Sequence, residues 1–246
     1  MTEKLGKVEK PPAGDIAAKR KLYVAPLVYP LPGAPDGYAT RLEAYWKAID
    51  DHTAGLEARA GIVKRVFHEG ISFGGEPGID QLKQTNLPVY PLVNSRINSG
   101  ATLEALDDDD LFLEALDWGR IVQSGFTSKK VAETVQESFE KASEARIAHM
   151  AKTLSEKIGP GEAALLIISS TRGIDIPNDI EQFNIMPPEL DALSRWIQET
   201  AKAQEAELQA AQARTASGEA AAGAGVPTVA PQDDGEGPKL WTPGNP

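Results

Sequence analysis

The residues that could do chemistry in this sequence sit just after apolar runs. His68 and Glu69 follow residues 62–67, and Asp107, Asp108, Asp109 and Asp110 follow residues 101–106. Ser169, Ser170, Thr171 and Arg172 close the run 163–170, AALLIISS. An open α/β sheet takes its ligands at the carboxyl ends of its strands. If these three runs are parallel strands, their polar ends therefore share one edge. Glu69, Asp107 and Asp108 could then offer oxygen ligands to a cofactor such as Mg²⁺. His68 and Glu69 are the candidate catalytic acid/base pair. Ser170 and Arg172 are the candidate ligand-binding residues, Arg172 gripping an anion in its planar fork. Together these residues describe a ligand-binding domain, in its sharpest form a metal-assisted hydrolase of an anionic small molecule.

Each group has a plainer reading. Four aspartates before a helix satisfy free backbone N–H groups and complement the helix dipole with no metal present. A lone histidine at a strand end is commonly a hydrogen-bonded structural residue. No phosphate loop of the form GxxxxGK[ST] occurs, nor GxSxG, HExxH, or GxGxxG after a strand. The glycine-rich stretch 70–78, GISFGGEPG, lacks the lysine followed by a hydroxyl residue that closes a phosphate cradle. His52, His68 and His149 are far apart, which argues against a histidine-rich zinc site. The segments VKRVFHEG and GATLEALDDDD are loosely similar to the middle of TraB/ChaN-like α/β proteins. The histidine-bearing first-strand motif of that group has no counterpart in KLYVAPLVYP, so no family is assigned on this ground.

The elements that must position these groups follow from periodicity. The run 163–170 is uncharged and suits a central strand covered on both faces. Residues 21–29 form another strand candidate, which Pro26 is expected to confine to a sheet edge or to split. Leu42, Tyr45, Trp46, Ile49, Thr53 and Leu56 recur at the spacing of one helix face. Short helices are expected from Pro77 and over 90–98. The longest helix is expected near 128–158, capped by Thr127 or Ser128, with a stripe through Val131, Val135, Phe139, Ala142, Met150, Leu154 and Ile158. A last strand is expected over 180–186, then a helix after Pro187-Pro188. The expected fold is thus α/β: a layered domain with a mostly parallel sheet, flanking helices and a disordered C-terminal tail.

Domain bounds follow from composition. Residues 1–18 are expected to be a flexible N-terminal arm and 19–213 a single α/β domain. Residues 214–246 are expected to be a disordered tail rich in Ala, Gly, Pro and acidic residues. Near its end, Leu240 and Trp241 are the candidate partner-binding residues of a short linear motif. That supports the alternative function, a noncatalytic adaptor or scaffold that binds a protein partner. The formal charge of −11 over 246 residues argues against nucleic acid as a partner. The one basic cluster, Lys19-Arg20-Lys21, reads as a solvated strand start. There is no cysteine, which excludes disulfides and thiolate chemistry. No apolar run is long enough for a membrane span, so no membrane association and a cytoplasmic location are expected. A homo-oligomer through the long helix is compatible with either function.

Overall fold

The computed structural model describes residues 19–222, with side chains as far as residue 213. Five strands form one parallel sheet: β1 (Arg20–Pro26), β2 (Val63–His68), β3 (Thr102–Glu104), β4 (Ala163–Ile168) and β5 (Ile180–Asn184). Their order is β3-β2-β4-β1-β5, so β4 is central, as its uncharged sequence requires. All six residues of β4 are buried. Burial of each Leu or Ile there contributes about 1.5–3 kcal/mol.

Alternation divides the strand side chains between two cores. Tyr23, Ala25, Val66, Leu165 and Ile167 face one layer. It is built from α1 (Tyr38–Ala60), α2 (Gly75–Thr85) and α3 (Tyr90–Asn98), which supply Tyr45, Trp46, Leu82 and Val93. Leu22, Val24, Phe67, Leu166 and Ile168 face the opposite layer and meet Met150, Leu154 and Ile158. Met150 and Leu154 lie on α5 (Lys129–Lys157), and Ile158 closes it. Helix α4 (Asp109–Gln123) precedes α5, and α6 (Pro188–Ala222) ends the described chain. Among the described residues no helix is long and apolar enough to cross a membrane.

The path matters for the site. From β1 through β2 to β3 the chain moves outward, with its helices on the first face. It returns through β4 to β5 with α5 and the loop carrying Ile174 and Ile176 on the second face. Neighbouring strands β2 and β4 therefore send their exits to opposite faces. Such a divergence opens a crevice at the carboxyl edge.

Two expectations are corrected. Pro26 neither splits β1 nor places it at an edge, because β1 lies between β4 and β5. Pro26 is the last residue of the strand, the pairing with β5 stops at Val24, and Leu27 N–H still donates to Ile168 O of β4 at 2.9 Å, so the missing donor interrupts neither neighbour. Nor is the basic cluster simply solvated. Lys21 is 1% exposed, and Arg20 clamps Asp179 through two 2.8 Å hydrogen bonds while donating to Ser155 O at the end of α5.

The chain divides into two compact units after Ile197. In the second, residues 201–213 of α6 are exposed throughout. The backbone of α6 is helical beyond residue 213, where the tail was expected to start. The expected arm, 1–18, and Leu240 and Trp241 lie outside the described residues.

Candidate functional site

At the carboxyl edge, strand ends leave backbone N–H groups that need acceptors, and two carboxylates supply them. Glu69, one residue past β2, sends Oε2 across to β4, where it accepts from Ser169 N–H at 2.7 Å and Ser169 Oγ at 2.6 Å. Asp107, in the loop after β3, accepts from Gly70 N–H through Oδ2 at 2.6 Å. Arg146 of α5 lies between them. Its Nε donates to Asp107 Oδ1 at 2.6 Å, and its Nη2 to Asp107 Oδ2 at 2.9 Å and Glu69 Oε1 at 3.2 Å. One guanidinium thus ties the exits of β2 and β3 to α5, and Glu69 extends the tie to β4. The Asp107 side chain is 1% exposed, Glu69 16% and Arg146 18%, so this network is largely shut off from water. Burial works against the charge on Arg146, but the hydrogen bonds and charges of the two carboxylates outweigh it and raise its pKa.

The other candidate residues fall into three places. His68 points the other way, beneath the α1–α3 layer, and is fully buried. Its Nδ1 is 2.6 Å from Glu69 O and its Nε2 is 3.3 Å from Asn86 Nδ2. Burial lowers its pKa from 6.5 to about 4, so at neutral pH it is an uncharged imidazole with both nitrogens engaged. Asp108 caps α4, its Oδ1 accepting from Leu111 N–H at 3.1 Å, while Asp109 accepts from Ser72 Oγ at 3.0 Å. Ser170 and Arg172 are exposed on the exit loop of β4, and Ser170 Oγ accepts from Arg172 N–H at 3.1 Å.

The structure therefore brings together Glu69, Asp107 and the loop bearing Ser170 and Arg172, and leaves His68 and Asp108 in separate structural roles. Every oxygen of Glu69 and Asp107 already accepts a hydrogen bond. A Mg²⁺ ion between them would have to displace Arg146. Among the described residues no three His, Asp or Glu side chains come together so as to hold a metal ion.

Above this edge stands an apolar wall. The Arg146 guanidinium lies over the Phe112 ring at 5.0 Å. Gly70 carries a positive φ of 83° and a side chain there would meet the Tyr29 hydroxyl at 3.2 Å, so the turn packs tightly. Burial, then the charges of Glu69 and Asp107, raise the Tyr29 pKa to about 12 and keep it a neutral phenol. From Phe112 and Arg146 a groove of ≈ 350 Å³ runs between α4 and α5, lined by Leu116, Gly119, Phe139 and Ile147.

Arg146 escaped the sequence reading, yet a signal for it existed. The apolar stripe of α5 passes from Phe139 and Ala142 to Met150, and the helical step between them falls on residue 146. A cation at a stripe position requires buried acids, and Glu69 and Asp107 are those acids. Comparison with protein-family models, curated proteins and solved structures finds no match for this chain.

Proposed function

We propose that the protein binds an anionic small molecule at the carboxyl edge of its sheet, in the crevice where the exits of β2 and β4 part. One observation carries this reading. Glu69 is committed to Ser169 and Arg146, while Ser170 and Arg172, on the same loop, stay exposed, and the Arg172 guanidinium forms no ion pair with any described carboxylate. A planar guanidinium and a hydroxyl two residues apart on one exposed loop suit a phosphate or carboxylate oxygen pair. The Glu69–Arg146–Asp107 network then serves as scaffold, fixing the loop that presents these two groups. Binding is the part of the function this geometry supports. The imidazole of His68 is too enclosed to meet a ligand, so no hydrolytic step is assigned to it.

The test is thermal denaturation of the full chain with inorganic phosphate or succinate, at matched ionic strength and with or without Mg²⁺. At a ligand concentration a hundred times Kd the native state gains about 2.7 kcal/mol, a rise on the order of 5–10 °C in Tm for a domain of this size. Arg172→Ala is expected to abolish the rise and leave the ligand-free Tm within about 2 °C, because the side chain is exposed and unpaired. Failure of both anions to raise Tm, or an identical rise in Arg172→Ala, overturns the proposal. A rise seen only with Mg²⁺ would restore the metal reading in its place.

A further inference from the structure

Helix α4 carries one face that neither core uses. Its inner side, centred on Ala115, meets α5, and Ala115 is the one residue of the helix that is buried. Val135 and Ala142, the buried residues in the first half of α5, belong to neither sheet core, so this pair of helices packs mainly on itself. On the outward side of α4, Asp109, Leu113, Leu116 and Arg120 follow one another at steps of four, three and four. That spacing sets them in a single row along about three turns, the pattern of a helix–helix seam. All four are exposed, Leu113 at 48% and Leu116 at 37%.

The row is symmetric in chemistry: acid, leucine, leucine, base. Turned end over end about a twofold axis between Leu113 and Leu116, it superposes on its own complement. Asp109 of one helix then faces Arg120 of the other, and Leu113 faces Leu116. An antiparallel arrangement satisfies both charges at both ends, whereas a parallel one sets acid against acid and base against base. Neither charge is already locked away. Asp109 gives one oxygen, Oδ1, to Ser72, and Arg120 pairs with Asp117 at 3.2 Å on open surface, with side-chain exposures of 68% and 70%.

We infer that α4 is a homodimer contact, and that its occupant is a second copy of the same helix in antiparallel register. Self-complementary charge is what selects this occupant over another protein, because an isologous contact needs one patch that matches itself. Leu116 and Arg120 also line the groove between α4 and α5. The leucines of the second copy would therefore pack at the groove rim, and two helix pairs would meet as a four-helix arrangement. The contact is independent of anion binding at the sheet edge. A seam this short gives a modest interface, so the dimer is expected to depend on concentration.

Sedimentation velocity on the full chain across the micromolar range tests this. A shift from the 26.3 kDa monomer toward twice that mass is expected. Leu113→Glu together with Leu116→Glu should hold the chain monomeric. Arg120→Asp should weaken the dimer at least tenfold, and adding Asp109→Arg should restore most of the loss. Circular dichroism melts confirm that each variant is folded, which is expected because all four positions are exposed. The absence of cysteine allows a second measurement. Leu113→Cys chains mixed with Leu116→Cys chains should cross-link more efficiently than either alone. A monomer throughout the range overturns the inference. So does a dimer indifferent to the leucine and charge variants, or cross-linking no better in the mixture.

Discussion

Replacing Arg146 by methionine tests whether the carboxyl-edge network organises the site. Methionine keeps the stem that packs beside Phe112 and removes the three hydrogen bonds to Asp107 and Glu69. Glu69 would keep two donors from Ser169 and some contact with water, so its part of the loss is small. Asp107 would keep only Gly70 N–H while remaining sealed from solvent, an uncompensated buried charge. Removing one partner of such a pair costs about 3–5 kcal/mol, and partial water entry from the Glu69 side argues for the lower end. A loss of about 3 kcal/mol lowers Tm by roughly 6–12 °C in a domain of this size. The assay is urea denaturation with the slope checked for constancy, paired with a thermal melt. The second arm is Arg146→Met with Asp107→Asn, which removes the stranded charge and leaves an oxygen for Gly70. It should recover at least half of the loss, a coupling that simple loss of packing would not produce. A single-variant loss below about 1 kcal/mol, the size of a surface pair, would refute the reasoning. A double variant as unstable as the sum of its parts would do the same.

Two further outcomes follow from buried groups away from the network. His68 has a folded-state pKa of about 4 against 6.5 for the free side chain, so the unfolded chain binds the extra proton between these values. Stability should be complete above pH 6.5 and fall by roughly 3 kcal/mol as pH drops to 4, and His68→Gln should flatten that slope, measured by urea titration at each pH; an unchanged slope would refute the assignment. Gly78 lies inside α2, where helix propensity alone favours alanine by about 1 kcal/mol. A Cβ there would clash with the Phe73 carbonyl oxygen, so Gly78→Ala should instead destabilise by roughly 1–3 kcal/mol in the same assay, and a stabilised variant would refute the clash.

What the sequence disclosed and what it concealed have separate physical causes. The central strand was legible because six uncharged residues leave no face for water, and parallel pairing follows from the helices between strands. Pro26 misled because the absence of an N–H is a penalty only where that N–H would be paired, and the pairing with β5 has already stopped at Val24. The four aspartates look identical as letters. Asp107 turns back to Gly70 and Arg146, Asp108 caps α4, and Asp109 meets Ser72, because each successive residue points in a new direction as the loop winds into a helix. His68 and Glu69 are separated by strand parity. Val66 and His68 share one face, and Glu69 turns toward α5. The partner of both acids, Arg146, lay 39 residues from Asp107 and 77 from Glu69, beyond the reach of any local pattern.

The position of the network also bears on the proposal that a cation on the β4 loop, Arg172, holds an anion. Where β2 and β4 diverge, the ends of the ladder expose N–H groups that no further strand will satisfy, and carboxylates are the strongest acceptors for them. Two carboxylates then demand a cation, which α5 provides from a stripe position that would otherwise be apolar. Two acids against one guanidinium leave a net negative charge at the edge, which by itself repels an anion. An anion can be held only on the side of the crevice where another cation stands and the Glu69 carboxylate is screened by Ser169. Arg172, three residues beyond Ser169, is on that loop, and its exposure leaves its fork free to turn toward the ligand. Under the proposed reading, the same charge that builds the edge therefore favours as binding group Arg172, the residue that the edge itself does not use.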